Sequence, residues 1–206
     1  MPSNKNTNHF TFLFAHGAGA DKDSDWMLAM DKLLTVNGVE VIRFNFPYMN
    51  KRLEDGKRRP PDRMPKLLEA FKLEVEKISE NKKLIIGGKS MGGRVASHLV
   101  CEPEFAYRVA AVVCFGFPFH PPGKPEKYRG EHLQTIQTPT LILQGERDTF
   151  GSREEVVEFD LSEKVSTEFL FDGDHSFKPR VKSGTTLDKN LQLATEKVIT
   201  FCKKLK

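Results

Sequence analysis

The sequence predicts an α/β fold, a three-layer sandwich built on a mostly parallel sheet of about six strands. Three observations lead there. Strand-like runs alternate with amphipathic helical segments along the whole chain. Most of those runs are continuously apolar, as strands covered on both faces are. No stretch reads as a repeat or a low-complexity linker, so residues 1–206 are expected to form a single domain.

The strand-like runs are 9–15, 39–46, 84–88, 109–115, 140–144 and 167–171. Between them, 25–36 carries Trp26, Met30, Leu33 and Leu34 at helical spacing and stops at Asn37-Gly38, a pair suited to a C-terminal cap. Residues 65–78 open on Pro65, fitted to a first helical turn, and carry Leu67, Leu68, Phe71, Val75 and Ile78 on one side. Helices are also expected over 91–101, 152–159 and 188–205. Right-handed crossovers between parallel strands accommodate this alternation. Irregular stretches remain at 47–61, 117–138 and 172–186. Each leaves the C-terminal end of a strand, where open α/β sheets bind their ligands.

Composition narrows the class. With 206 residues, 38% of them hydrophobic and 29% charged, the chain reads as a soluble globular protein. Its longest apolar run, 109–119, contains Gly116 and Pro118 and is too short to span a bilayer, so no membrane partner is expected. The opening MPSNKNTNHF is polar, and no signal peptide is expected. Three cysteines, Cys101, Cys114 and Cys202, form no C-x-x-C pair and argue for a reducing, cytoplasmic setting without disulfides or a metal site. A net charge of +4 falls short of a nucleic-acid signature. The positive charge is nonetheless uneven, with Lys51, Arg52, Lys57, Arg58, Arg59 and Arg63 gathered in 47–63.

The chemistry concentrates around Gly88-Lys89-Ser90-Met91-Gly92, which fits G-x-S-x-G between a strand and a helix. A nucleophilic serine needs a sharp, strained turn that lifts it clear of the sheet, flanked by residues without side chains. The helix that follows directs its N–H groups and positive dipole end at the serine oxygen. Phosphate-binding patterns fail here: after Gly87 and Gly92 comes Gly93-Arg94 rather than Lys-Ser or Lys-Thr, and G-x-G-x-x-G is matched neither here nor at His16-Gly17-Ala18-Gly19.

A serine nucleophile of this kind requires an acid and then a histidine later in the chain. Asp148 follows the run 140–144, and His175 follows 167–171. Both sit at strand ends on the same edge of the sheet as Ser90. The expected triad is therefore Ser90, Asp148 and His175, with Glu146 and Asp174 the neighbouring carboxylates it is distinguished from. An oxyanion hole needs backbone N–H donors. Met91 supplies one, and the loop His16-Gly17-Ala18-Gly19-Ala20 the other, from Ala18 or Gly17. His16 either orders this loop by hydrogen bonding or packs as an ordinary histidine.

HGAGA at 16–20, GKSMGG at 88–93, LILQGERD at 141–148 and GDHSF at 173–177 together resemble the α/β-hydrolase superfamily. GGKSMGGRVASHL and FGFPFHPPGKPEKYR resemble more closely a small branch that includes the testis-expressed and NSL-complex-subunit-three-like proteins, and dienelactone hydrolases more distantly. The resemblance implies a minimal α/β-hydrolase fold without a full cap domain, since no leading antiparallel strands and no long helical insertion are present. It implies a serine hydrolase that cleaves an ester, thioester or similar acyl bond of a small molecule through an acyl-enzyme, without a metal or organic cofactor. It equally allows a non-catalytic interaction module, because a scaffolding role occurs in that branch. Phe117, Phe119 and His120 leave the strand after the nucleophile helix and are expected to overhang the site, the phenylalanines as an acyl wall, His120 as a substrate ligand or a loop pin. The basic stretch 47–63 is expected to border the pocket and favour anionic substrates.

Overall fold

The computed structural model describes residues 10–205. Six strands form one sheet in the order β2-β1-β3-β4-β5-β6, and every neighbouring pair is parallel. They are β1 (Phe10–Ala15), β2 (Glu40–Phe44), β3 (Lys83–Lys89), β4 (Val109–Phe115), β5 (Thr140–Gly145) and β6 (Val165–Leu170). The helices are α1 (Asp25–Val36), α2 (Pro47–Asp55), α3 (Met64–Glu76), α4 (Met91–Leu99), α5 (Pro103–Arg108), α6 (Arg153–Val156) and α7 (Leu187–Lys204). The expected strand start at His9 lies outside the described residues.

Strand alternation divides the core between two faces. In β1, Phe12 and Phe14 join Met27, Met30 and Leu34 of α1 and Val198 of α7, whereas Leu13 and Ala15 join Leu67 and Phe71 of α3 and Val95 of α4. Every residue of β1 is buried, which is why its sequence shows no polar alternation. The outer strands differ. β6 reads VSTEFL and keeps only Leu170 fully buried. Its polar first half hid it from a search for apolar runs, so the expected strand began too late.

Two helices were not foreseen. Residues 47–55 were expected to be irregular because of their charge. They form α2, which starts on Pro47 and ends where Gly56 adopts the left-handed conformation at φ 68° and donates to the Arg52 carbonyl at 2.9 Å. Its buried residues, Tyr48 and Met49, anchor it to the α3 side of the core. α5 is the other, a short turn opened by Pro103. α6 is shorter than expected and is fixed by a capping box between Ser152 and Glu155.

Below the nucleophile end of α4, His98 stacks on His132 of the 3-10 turn Glu131–Gln134, with ring centroids 3.6 Å apart and planes inclined by 22°. The Ser97 hydroxyl bonds the Arg94 carbonyl and lies 2.8 Å from His132 Nε2. Burial, with Arg94 adding repulsion, pushes His98 down to about 4. Burial, His98 and Arg94 push His132 down to about 3. Both imidazoles bind protons more readily in the unfolded chain, so their contribution to stability is complete above about pH 6.5 and is lost as the pH falls toward those lower values. Urea denaturation at pH 7 and pH 5 should show a loss of stability on acidification that is smaller in a His98→Gln/His132→Gln variant; an equal loss in both proteins contradicts this account.

Candidate active site

The elbow between β3 and α4 follows from close packing. A Cβ on Gly92 would stand 2.6 Å from the Ala15 carbonyl oxygen and 2.8 Å from that of His16, both immovable backbone atoms. Only glycine lets the first turn of α4 press against the end of β1. The chain must therefore reverse within one residue. Ser90 does this at φ 50°, ψ −114°, and donates its N–H to the Phe115 carbonyl at 2.9 Å. A non-glycine residue in that conformation is strained, and here the flanking strand and helix over-determine it.

His175 Nε2 lies 2.8 Å from Ser90 Oγ, and His175 Nδ1 lies 2.8 Å from Asp148 Oδ2. The three side chains thus come from the ends of β3, β5 and β6 to one rim. Asp148 is fully buried. Its Oδ1 accepts the Phe150 N–H at 2.9 Å, and Oδ2 accepts both His175 and Gln144 Nε2, each at 2.8 Å. These donors hold the carboxylate in one orientation. With Asp148 as acceptor, Nδ1 carries the imidazole proton and Nε2 faces Ser90 free to accept one. Burial is the largest influence on His175 and lowers its proton affinity; the bond to Asp148 works in the opposite direction.

The loop after β1 lies against Ser90: a Cβ on Gly17 would be 3.7 Å from that of Ser90. His16 orders it. Phe46 N–H donates to His16 Nε2 at 3.1 Å, which fixes the tautomer, and Nδ1–H donates to the Gly17 carbonyl at 2.6 Å. Tyr48 Oη donates to the Ala18 carbonyl at 3.1 Å. The carbonyls of Gly17 and Ala18 are thus both held by side chains, His16 and Tyr48. Met91, first residue of α4, has the free N–H of every helix start.

A cleft of about 300 Å³ adjoins Ser90 and His175, walled by Ala18, Ala20, Trp26, Met27 and Phe150. Phe117, Phe119 and His120 do not form it, and the expectation that they overhang the site is corrected. Phe117 and Phe119 have no exposed surface and belong to the core on the α4 side, with Phe119 packed on Tyr128 and Phe159. The stretch 117–138 folds against the α4 face of the sheet because its aromatic residues find apolar partners there, not above the serine. His120 is 3% exposed, bonds the Pro121 carbonyl through Nδ1 at 2.9 Å, and donates its N–H to the Phe150 carbonyl at 3.2 Å. It pins the loop. Arg58 and Arg59 do not line the cleft either; Arg59 is paired with Asp55. Of the basic stretch, Arg52 comes nearest, donating to the Gly19 carbonyl at 3.4 Å.

Three residues at the site escaped sequence reading. Phe150 lays its ring 4.2 Å from that of His175. Trp26 was seen only as the apolar face of α1. Gln144 looked like a chance polar residue ending an apolar run, yet it bonds Asp148, the Gly151 carbonyl and both backbone groups of Phe117.

The sequence profile of the α/β hydrolase domain family matches residues 8–203. The chain is an α/β-hydrolase. Solved structures agree on its fold. This α/β-hydrolase superposes on an α/β serine hydrolase homologue from Coxiella burnetii with a TM-score of 0.71 at 18% identity, over 96% of this chain and 88% of the other. A dienelactone hydrolase from Anabaena variabilis gives 0.66 at 20% identity, over 93% and 86%. An α/β serine hydrolase without a lid from Xanthomonas campestris gives 0.67 at 15% identity, over 96% and 86%. The fold here likewise has no lid: 117–138 contributes no helix longer than the 3-10 turn Glu131–Gln134.

Replacing Gln144 with Met keeps bulk but leaves Asp148 short of a donor and the Phe117 backbone unpaired. Leaving buried polar groups unsatisfied costs on the order of 1–3 kcal/mol each. Gln144→Met should lower the melting temperature by several degrees, and unchanged melting contradicts the role given to this amide.

Proposed function

We propose that this α/β-hydrolase is a serine hydrolase acting on an ester, thioester or similar acyl bond through a covalent acyl-enzyme. The observation that carries the reading is the unbroken relay of 2.8 Å contacts from Ser90 Oγ through the His175 imidazole to Asp148 Oδ2. Ser90 Oγ attacks the acyl carbonyl and its proton passes to His175 Nε2. Asp148 stabilises the imidazolium that results. The N–H groups of Met91 and Ala18, with Gly17 beside it, receive the oxygen as it becomes negative. His175 returns the proton to the departing alcohol or thiol, and water activated by the same imidazole then releases the acid. Each step uses only side chains and backbone of this chain.

The cleft supports a compact acyl group. Its walls are largely aromatic and aliphatic; Lys89 is the one cation among the lining residues, and no arginine contributes to them. The basic stretch 47–63, expected to favour anionic substrates, supplies no charge to this lining. Within the superfamily, GGKSMGGRVASHL and FGFPFHPPGKPEKYR support placing the chain in the small branch with the testis-expressed and NSL-complex-subunit-three-like proteins.

Two measurements test the reading. A fluorophosphonate probe should label the native protein at Ser90, and labelling should vanish in Ser90→Ala and His175→Ala; hydrolysis of a responsive ester should fall by about 10⁴-fold or more in either variant. A folded native protein that takes up no probe is instead an interaction module. For specificity, Arg58→Gln/Arg59→Gln should leave the ratio of kcat/KM for a neutral and an anionic ester unchanged. A selective loss on the anionic ester would restore a role for the basic stretch in recognition.

A further inference from the structure

Lys89, the residue immediately before the nucleophile, ends β3 with its side chain turned inward and only 9% exposed. Its ammonium donates to the main-chain carbonyl of His175. It lies 5.5 Å from the ring centre of Trp26 and 5.9 Å from that of Phe177. Gly116 makes room for it: a Cβ there would be 3.0 Å from Lys89 Nζ and 2.8 Å from the His175 carbonyl oxygen. Among the described residues the ammonium forms no ion pair. A buried cation without a carboxylate in contact is costly, and two aromatic faces and one carbonyl offset only part of that cost. The mechanism above gives this group no task.

We propose that Lys89 is a positioning residue for the relay, tying the main chain of His175 to the nucleophile strand and holding the imidazole, by its charge, in the proton-accepting form. The tie is geometric. β4 and β5 separate β3 from β6 in the sheet, and the Lys89 side chain reaches behind both strand ends to the loop that carries His175. The charge argument follows from what surrounds the imidazole. Asp148 at the end of β5 and Asp174 on the histidine's own loop attract a proton to His175; Lys89 on β3 repels it. The other neighbours, Ser90, Phe150 and Trp26, carry no charge. Burial pushes the Lys89 ammonium down to about 8, with Asp148 and Asp174 opposing, so it stays charged through the range in which an imidazole titrates. Without it, burial alone opposes the two carboxylates, and the imidazole takes up a proton at higher pH.

The inference rests on the hydrolase reading, and its test separates the two. Lys89→Gln keeps a donor for the carbonyl and removes the charge; Lys89→Met removes both. The titration midpoint of His175, read by NMR from its ring nitrogens, should rise by about half to one pH unit in both variants. The rate of fluorophosphonate labelling at Ser90 should move its acid limb upward by the same amount. At pH values above that limb Lys89→Met should label about five-fold more slowly than Lys89→Gln, the loss of one hydrogen bond. A His175 midpoint unchanged in Lys89→Gln overturns the proposal, whatever the labelling. A shifted midpoint in a protein that never labels, even unsubstituted, upholds the effect on His175 and sinks the hydrolase reading alone.

Discussion

Everything at the site depends on how closely α4 approaches the end of β1. Gly92 lies where any side chain would collide with the backbone of Ala15 and His16. That contact leaves the chain no room between β3 and α4 except a reversal within one residue, and Ser90 absorbs it at φ 50°. Strain of this kind persists only when the surroundings leave no alternative. The same approach brings Gly17 next to Ser90 and the start of α4 next to the loop after β1. One steric constraint thus places the Ser90 hydroxyl, the start of α4 and the loop after β1 together before any polar interaction is considered.

Around that point burial acts on the histidines. His16 is buried, and burial lowers its proton affinity, so it remains a neutral imidazole with one nitrogen donating and one accepting. His175 is pushed the same way. Asp148 is the fully buried carboxylate of the relay, and it is surrounded by donors from Gln144, Phe150 and His175. A low-dielectric setting strengthens each of these bonds and makes each unmatched group expensive, so the network is coherent only when complete.

The fold was legible where burial writes itself into sequence. Runs such as Leu84-Ile85-Ile86 and Val109–Phe115 are apolar on both faces because helices cover both. The meeting of Ser90, Asp148 and His175 was legible because its logic is topological: a serine on a glycine turn, then an acid and a histidine at later strand ends. Phe117 and Phe119 were misread because an apolar loop residue looks alike whether it walls a cleft or fills a core. α2 was missed because the charges on its exposed face outweighed the signals at its ends, Pro47 and Gly56. Gln144 and Phe150 were invisible for another reason. Their roles come from contacts with loops distant in the chain, and no local spacing encodes such contacts.

The position of β6 carries a consequence for how the protein fails. It is an edge strand, bonded on one side only and half-covered, yet the loop at its end supplies His175. Long-range parallel pairing forms late and opens first in structures of this kind. Detachment of that margin would part His175 from Ser90 while β1, β3 and β4 stay intact, so this contact is lost well before the fold is.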